Sequence, residues 1–242
     1  MNSIVFILLI GVVGIKGDKI IGGHECQPHS QPWQARLDDG YGLCGGSLIH
    51  ESWVVSAAHC KSSSIIVHLG KHDLFVVEDT AQEIQAEKVI SHPKYNNREH
   101  NNDIMLIKLR EPAVINNNVK PVPLPTNCSH AGEQCLVSGW GVTGDSISST
   151  LQCLELPILS KADCKSAYGR VITKKMFCAG FMDGGKDSCQ SFQGDSGGPV
   201  VCNGTLKGIV SFGIGCAEPG FPGVYVEVCR YINWINYIIA NN

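Results

Sequence analysis

The stretch Gly194-Asp195-Ser196-Gly197-Gly198-Pro199 is the part of the chain best suited to covalent chemistry. A serine set among glycines can be held on a tight turn whose small neighbours let a substrate carbonyl reach the backbone. The N–H groups of Gly194 and Ser196 can then converge on one oxyanion. A phosphate-binding loop is the rival chemistry, but the Gly-Lys-Ser/Thr ending that such loops need is missing. On these six residues alone, a plain glycine-rich turn stays open. A hydroxyl becomes a useful nucleophile only when a base takes its proton, and that base needs an orienting carboxylate. Among nine histidines, His59 stands out in Ala57-Ala58-His59-Cys60, where a small apolar run would bury it and a cysteine could pin it. Asp103 stands out because it opens the apolar run Ile104-Met105-Leu106-Ile107, beside which an unpaired carboxylate is costly to bury.

Holding three such residues together is a task for the scaffold. Beyond residue 30 the chain alternates short apolar runs with Gly, Pro, Asn and Ser, as in Trp53-Val54-Val55, 104–109, 134–137, 199–202 and 208–212. That texture predicts the strands of an all-β barrel or sandwich. Residues 112–128, rich in Pro and Asn, form the best connection between two halves. Tyr231, Ile232, Trp234, Ile235, Ile238 and Ile239 recur at helical spacing, which predicts one amphipathic terminal helix packed on the body.

The 242 residues carry 19 basic against 22 acidic side chains, so no electrostatic footprint for nucleic acid exists. Twelve cysteines, an even number with no Cys-x-x-Cys pair, argue against zinc ribbons and thioredoxin-type sites. They point instead to an oxidised extracellular domain with up to six disulfides. The apolar run 4–13 has the length of a signal-peptide core and is too short to span a bilayer, although residues 1–3 carry no Lys or Arg. A signal peptide over 1–17, ending between 14 and 17, is therefore the expectation, and no membrane anchor follows it.

The order His59, Asp103, Ser196 in these local contexts resembles the chymotrypsin-family serine proteases, and within them the trypsin branch. The resemblance runs from Ile20 to the C-terminus on long motifs: Ile20-Ile21-Gly22-Gly23, the run from Leu43 to Leu48, Val55-Ser56-Ala57-Ala58-His59-Cys60, Asn101 to Leu109, Val137-Ser138-Gly139-Trp140-Gly141 and the serine hexapeptide. It implies two six-stranded Greek-key β-barrels, about 30–120 and 125–230, followed by a C-terminal helix at about 230–240. His59 would act as base, Asp103 would orient it, Ser196 would attack, and Ser211 matches the serine that supports the aspartate. The cysteine pattern implies Cys26–Cys153, Cys44–Cys60, Cys128–Cys229, Cys135–Cys202, Cys164–Cys178 and Cys189–Cys216.

Asp187 matches the acidic floor of a pocket for Lys or Arg, with Gly213 and Gly223 as its walls, and Phe212 stands where a tryptophan is usual. The resemblance further implies a secreted zymogen cut at Lys19-Ile20, with residues 18–19 as the rest of the activation peptide and 20–242 as the protease domain. The new Ile20 ammonium would pair with Asp195. Only Asp18 precedes Lys19, where the family usually carries a run of acidic residues. Protein and peptide substrates with Lys or Arg, and protein protease inhibitors, are the implied partners of a monomer.

Two departures stand out. In the loop that aligns with the family's calcium cage, Lys71 and Ala81 replace acidic positions while Glu78 survives, so no calcium site and no other metal or cofactor is expected. Lys71 is expected to pair locally with Glu78 or Asp79. Ser191-Phe192-Gln193 is a three-residue insertion before Gly194, which raises an alternative: a weakened homologue acting as a binding protein because its oxyanion hole and pocket mouth are disturbed. Asn203-Gly204-Thr205 and Asn127-Cys128-Ser129 are glycosylation sequons, Asn203 being the better candidate.

Overall fold

A computed structural model of the chain describes residues 23–40, 42–143, 146–184, 195–215 and 218–242. The leader with Lys19 and Ile20, Asp187, Gly194, the Ser191-Phe192-Gln193 insertion and the Cys189–Cys216 pair lie outside the described residues. After β1 (His24–Glu25), six strands form a closed barrel: β2 (Gln34–Asp38), β3 (Leu43–His50), β4 (Trp53–Ser56), β5 (Ile66–Leu69), β6 (Gln82–Ser91) and β7 (Met105–Leu109). Their order around the ring is β2-β3-β4-β7-β6-β5.

The second half contains β8 (Gln134–Gly139), a small hairpin of β9 (Val142–Thr143) and β10 (Ser146–Ile147), then β11 (Gln152–Pro157), β12 (Met176–Ala179), β13 (Pro199–Cys202), β14 (Thr205–Phe212) and β15 (Gly223–Glu227). Here the expectation of a second closed six-stranded barrel needs adjustment. The sheet has seven strands in the order β1-β11-β8-β13-β14-β15-β12. Just past β11 the chain meets β12 through one bridge, Ile158 with Ala179, flanked by bonds from Leu159 N–H to Cys178 O and from Gly180 N–H to Pro157 O. Pro157 has no N–H to extend a ladder, which accounts for a seam of isolated bonds there. With β1 set aside as an addition on β11, the six remaining strands run 1-2-3-6-5-4 around the ring when numbered in chain order, as do the six of the first barrel. The two halves therefore share one Greek-key path.

The apolar runs divide by the period of a strand. Val54, Met105, Ile107 and Leu109 point into the first barrel with Leu37, Val67 and Leu69. Their neighbours Trp53, Val55, Ile104 and Leu106 face the other way and pack on Val201, Leu206, Ile209 and Val226 of the second half. Burial on both faces explains why 104–107 reads as continuous apolar sequence instead of alternating. This shared core is also where the terminal helix docks. Helix α2 (Ile232–Asn241) buries Ile235 and leans Ile232, Trp234, Ile238 and Ile239 on the same cluster. Tyr231 belongs to that stripe but lies in a 3₁₀ turn, Val228–Tyr231, just before the helix.

Helix α1 (Lys161–Tyr168) was not foreseen, although Ser160-x-x-Asp163 signals its start. The Ser160 hydroxyl oxygen accepts a bond from Asp163 N–H at 3.1 Å, and Gly169 ends the helix in the left-handed region. Five of the six implied disulfides are present: Cys26–Cys153, Cys44–Cys60, Cys128–Cys229, Cys135–Cys202 and Cys164–Cys178. Among the described residues no helix is long and apolar enough to cross a membrane.

Candidate active site

His59 sits in a single 3₁₀ turn, Ala58–Cys60, that follows the buried strand β4. The Cys44–Cys60 bridge ties that turn to β3, as the cysteine beside the histidine suggested. One carboxylate grips His59 twice. The main-chain N–H donates to Asp103 Oδ1 at 2.9 Å, and ring Nδ1 lies 2.7 Å from Asp103 Oδ2. A carboxylate partner assigns the ring proton to Nδ1 and leaves the lone pair of Nε2 free to accept a proton. Asp103 itself is fully buried, and Oδ2 also accepts the Ser211 hydroxyl at 2.6 Å. Three donors thus offset the desolvation of a charge that burial alone would make costly.

The turn that delivers Asp103 carries residues the sequence reading passed over. His100 and Asn102 both adopt positive φ, 48° and 58°, on the approach to the strand. Asn102 is held in that conformation by donating to Lys94 O at 2.8 Å and by accepting the Lys175 ammonium on its Oδ1. Lys175 comes from the second half of the molecule, just ahead of β12, so both halves fix this turn. The His100 ring stacks on Phe212 at 5.3 Å and meets His59 edge-on at 5.9 Å. Burial lowers the His100 pKa and the His59 ring adds to that, while the Asp103 charge opposes it. Nothing in the local sequence signals the contacts with Lys175, Phe212 and His59, because those partners lie far away in the chain.

Ser196 arrives from the other half on a turn closed by Gly198 N–H donating to Asp195 O at 2.8 Å. That turn lies flat against β3. Gly45 N–H donates to Ser196 O at 2.7 Å, and the same carbonyl oxygen stands 3.6 Å from the sulfur of Cys60, next to His59. A Cβ on Gly197, whose φ is +81°, would meet Ser56 Oγ at 2.1 Å and Gly45 O at 2.6 Å. A glycine at 197 is therefore a condition of the two halves meeting.

Asp195, one residue before the serine, is as buried as Asp103 but far less well served. Among the described residues its carboxylate takes one hydrogen bond, from Gly141 N–H to Oδ1 at 2.9 Å. Burial raises its pKa to about 7, with the Gly141 bond pulling weakly the other way. Gly139 and Gly141 enclose it, and a Cβ on either would come within 2.1 Å of a carboxylate oxygen.

Phe212 pairs with Val224 across β14 and β15, which puts Gly213 and Gly223 near each other at one end of that ladder. Phe212 also contacts Tyr168 edge-on at 5.9 Å, and the Tyr168 hydroxyl donates to Pro222 O at 2.7 Å. In the 71–82 loop, Lys71 behaves as anticipated. Its ammonium donates to Val76 O and stands 3.9 Å from Glu78 Oε2. Glu78 further accepts His72 N–H at 2.8 Å and Asp73 N–H at 3.3 Å.

Two β halves of the same path, meeting where one offers a histidine–aspartate pair and the other a glycine-flanked serine, define the chymotrypsin-like class of serine protease. The comparisons with known proteins narrow this. The family model described as Trypsin matches residues 20–235, and the chain belongs to the trypsin family. Trypsin-1 of Salmo salar is 54% identical over 244 residues, covering all of both chains. Cationic trypsin-3 of Rattus norvegicus is 53% identical over 250 residues, again across both chains. Trypsin of Squalus acanthias is 56% identical over 226 residues, 93% of this chain and 97% of the shark protein. The chain is a trypsin-like serine endopeptidase, a hydrolase of a family that serves digestion. The reading as a weakened homologue kept for binding gains no support from these matches.

Proposed function

We propose that the chain is a secreted zymogen, activated by cutting Lys19-Ile20, that hydrolyses peptide bonds after Lys or Arg. The observation that carries the catalytic part is the double grip of Asp103 on His59, reinforced by Ser211. In this reading His59 Nε2 takes the Ser196 proton as Oγ attacks the scissile carbonyl, giving a tetrahedral oxyanion held by the N–H groups of Gly194 and Ser196. Collapse expels the amine, which leaves with the proton from His59. Water then repeats the cycle on the acyl-enzyme and releases the acid. Asp103 fixes the tautomer and stabilises the imidazolium.

Asp187 supplies the counter-charge for a substrate ammonium or guanidinium, in a pocket to which Gly213 and Gly223 contribute as walls in this reading. Phe212 keeps an apolar surface for the substrate chain. Residues 1–17 direct secretion, and cleavage after Lys19 frees the Ile20 ammonium for Asp195, whose raised pKa marks a carboxylate in want of a cation. The Lys71 ammonium, donating to Val76 O and standing 3.9 Å from Glu78 Oε2, puts a positive charge of the chain's own in the 71–82 loop, so the loop needs no ion. The test treats the Lys19-cleaved chain with a serine-directed organophosphate and assays an Arg ester and its Glu counterpart. Modification of Ser196 alone, with turnover of the Arg ester only, is the expected result. An unlabelled Ser196 with no turnover would overturn the proposal.

A further inference from the structure

Three groups of side chains among the described residues place three potential metal ligands within 4.8 Å of one another. Two of them, around Cys44–Cys60 and Cys128–Cys229, depend on sulfurs already consumed in disulfides. The third is His59, His100 and Asp103, none of them held in a disulfide; there an ion would take over the His59–Asp103 hydrogen bond and share Asp103 Oδ2 with the Ser211 hydroxyl. Two imidazoles and a carboxylate make a donor set suited to zinc, with a fourth position left for water.

The distances are close to what such an ion needs. Bonds of about 2.0–2.1 Å in a tetrahedral site put ligand atoms about 3.3 Å apart. Asp103 Oδ2 lies 2.7 Å from His59 Nδ1 and 3.9 Å from His100 Nδ1, so the required spacing falls between the two. A second observation is independent of that spacing. His100 Nδ1 is buried and has no hydrogen-bond partner, although it faces the carboxylate. A buried ring nitrogen left unpaired carries a desolvation cost that no hydrogen bond among the described residues offsets. The His100 side chain is 34% exposed, which leaves a way in past its ring.

We propose that His59, His100 and Asp103 bind a borderline-soft divalent cation, Zn²⁺ above all, and that the bound ion reversibly switches the protease off. The ion displaces the proton on His59 Nδ1, so one N–H bond breaks, one metal–nitrogen bond forms and a proton passes to solvent. The histidine is then pinned as a ligand and loses the N–H···carboxylate bond that sets its tautomer. This inhibitory site is separate from the 71–82 loop, where no resident ion is expected. Its effect on rate rests on the proposed catalytic role of His59, whereas the binding itself does not.

The experiment therefore has two arms. In the first, the Lys19-cleaved enzyme turns over an Arg ester in non-chelating buffer while ZnCl₂ is raised to about 100 µM, a range matched to a three-ligand site. Full inhibition with a half-point in the micromolar range, reversed by EDTA, is expected. For His100→Leu and His100→Gln, each measured against its own metal-free rate, the half-point should rise by about tenfold or more. His130→Ala, at an exposed histidine outside the cluster, should leave it unchanged. In the second arm, Co²⁺ is added to the inactive Ser196→Ala chain, with and without His100→Leu. A visible tetrahedral-type absorption lost with His100 is expected. Equal zinc sensitivity with and without His100, no inhibition across the range, or a cobalt spectrum indifferent to His100 would each overturn the site. If the cleaved chain turns over nothing, the proposed function fails, and the cobalt arm alone decides the metal site.

Discussion

Asp103 and Asp195 are both buried carboxylates at the junction of the two halves, yet the protein treats them in opposite ways. Asp103 has the His59 N–H, the His59 ring and the Ser211 hydroxyl around it. Asp195 has one described bond, from Gly141, and a pKa raised to about 7 by burial. A buried charge is tolerable when donors surround it and expensive when they do not. The contrast teaches that the histidine–aspartate side is assembled within the described residues, while the serine side is built around a carboxylate that has no cation among those residues. In the proposed zymogen, Ile20 provides that cation only after cleavage.

The largest expected effect comes from the well-served carboxylate. Asp103→Asn should cut kcat on an Arg ester by about 10⁴-fold, a size carried over from the family's own relay, with little change in KM. A loss under tenfold would mean that the grip on His59 does not organise catalysis. Asp195→Asn should be milder, lowering the cleaved enzyme's activity by about 10²-fold through a displaced serine turn. The same substitution should stabilise the uncleaved chain above pH 7, because a neutral amide suits a buried pocket better than an unpaired carboxylate.

The pH dependence of folding sharpens the same contrast. In the uncleaved chain the Asp195 carboxyl ionises at about 7 instead of 3.8, so the folded state keeps a proton that the unfolded state releases. This group's contribution is fully present below the unfolded value, falls as pH rises through the interval to about 7, and levels off above it. Melting temperatures across that interval should show the decline for the uncleaved chain and lose it in Asp195→Asn. Cleavage at Lys19 should also flatten it, because a paired ammonium favours the ionised form. Smaller again, Ser211→Ala should cost about tenfold in kcat by removing one charge-assisted bond to Asp103, and leave the Asp195-dependent pH profile alone. Smallest, Lys71→Glu should lower the melting temperature by about 2–4 °C in EDTA, a loss that calcium reverses if the loop then takes the ion.

Much of this was legible because it lies in contiguous stretches. His59 beside Cys60, Asp103 ahead of an apolar strand, and Ser196 among glycines each carry their structural reason next to them in the chain. The strand pattern and the terminal helix followed from periodicity, and Ile235, one of the residues of that stripe, is the one the helix buries. Resemblance supplied the disulfide partners, which spacing alone leaves open. What escaped depends on contacts between distant segments. Lys175 reaching Asn102, Phe212 stacking on His100, and the one-bridge seam between Ile158 and Ala179 have no local signature. Helix α1 is different, since Ser160 and Asp163 announced it in four residues.

The most direct test of the contrast is the rate of Arg-ester hydrolysis by one preparation before and after cleavage at Lys19-Ile20. If the serine side waits for a cation at Asp195, the rate should rise by about 10³-fold or more on cleavage, and Asp195→Asn should abolish most of that rise. A chain as active before cleavage as after it, or a rise that survives Asp195→Asn intact, would contradict the account.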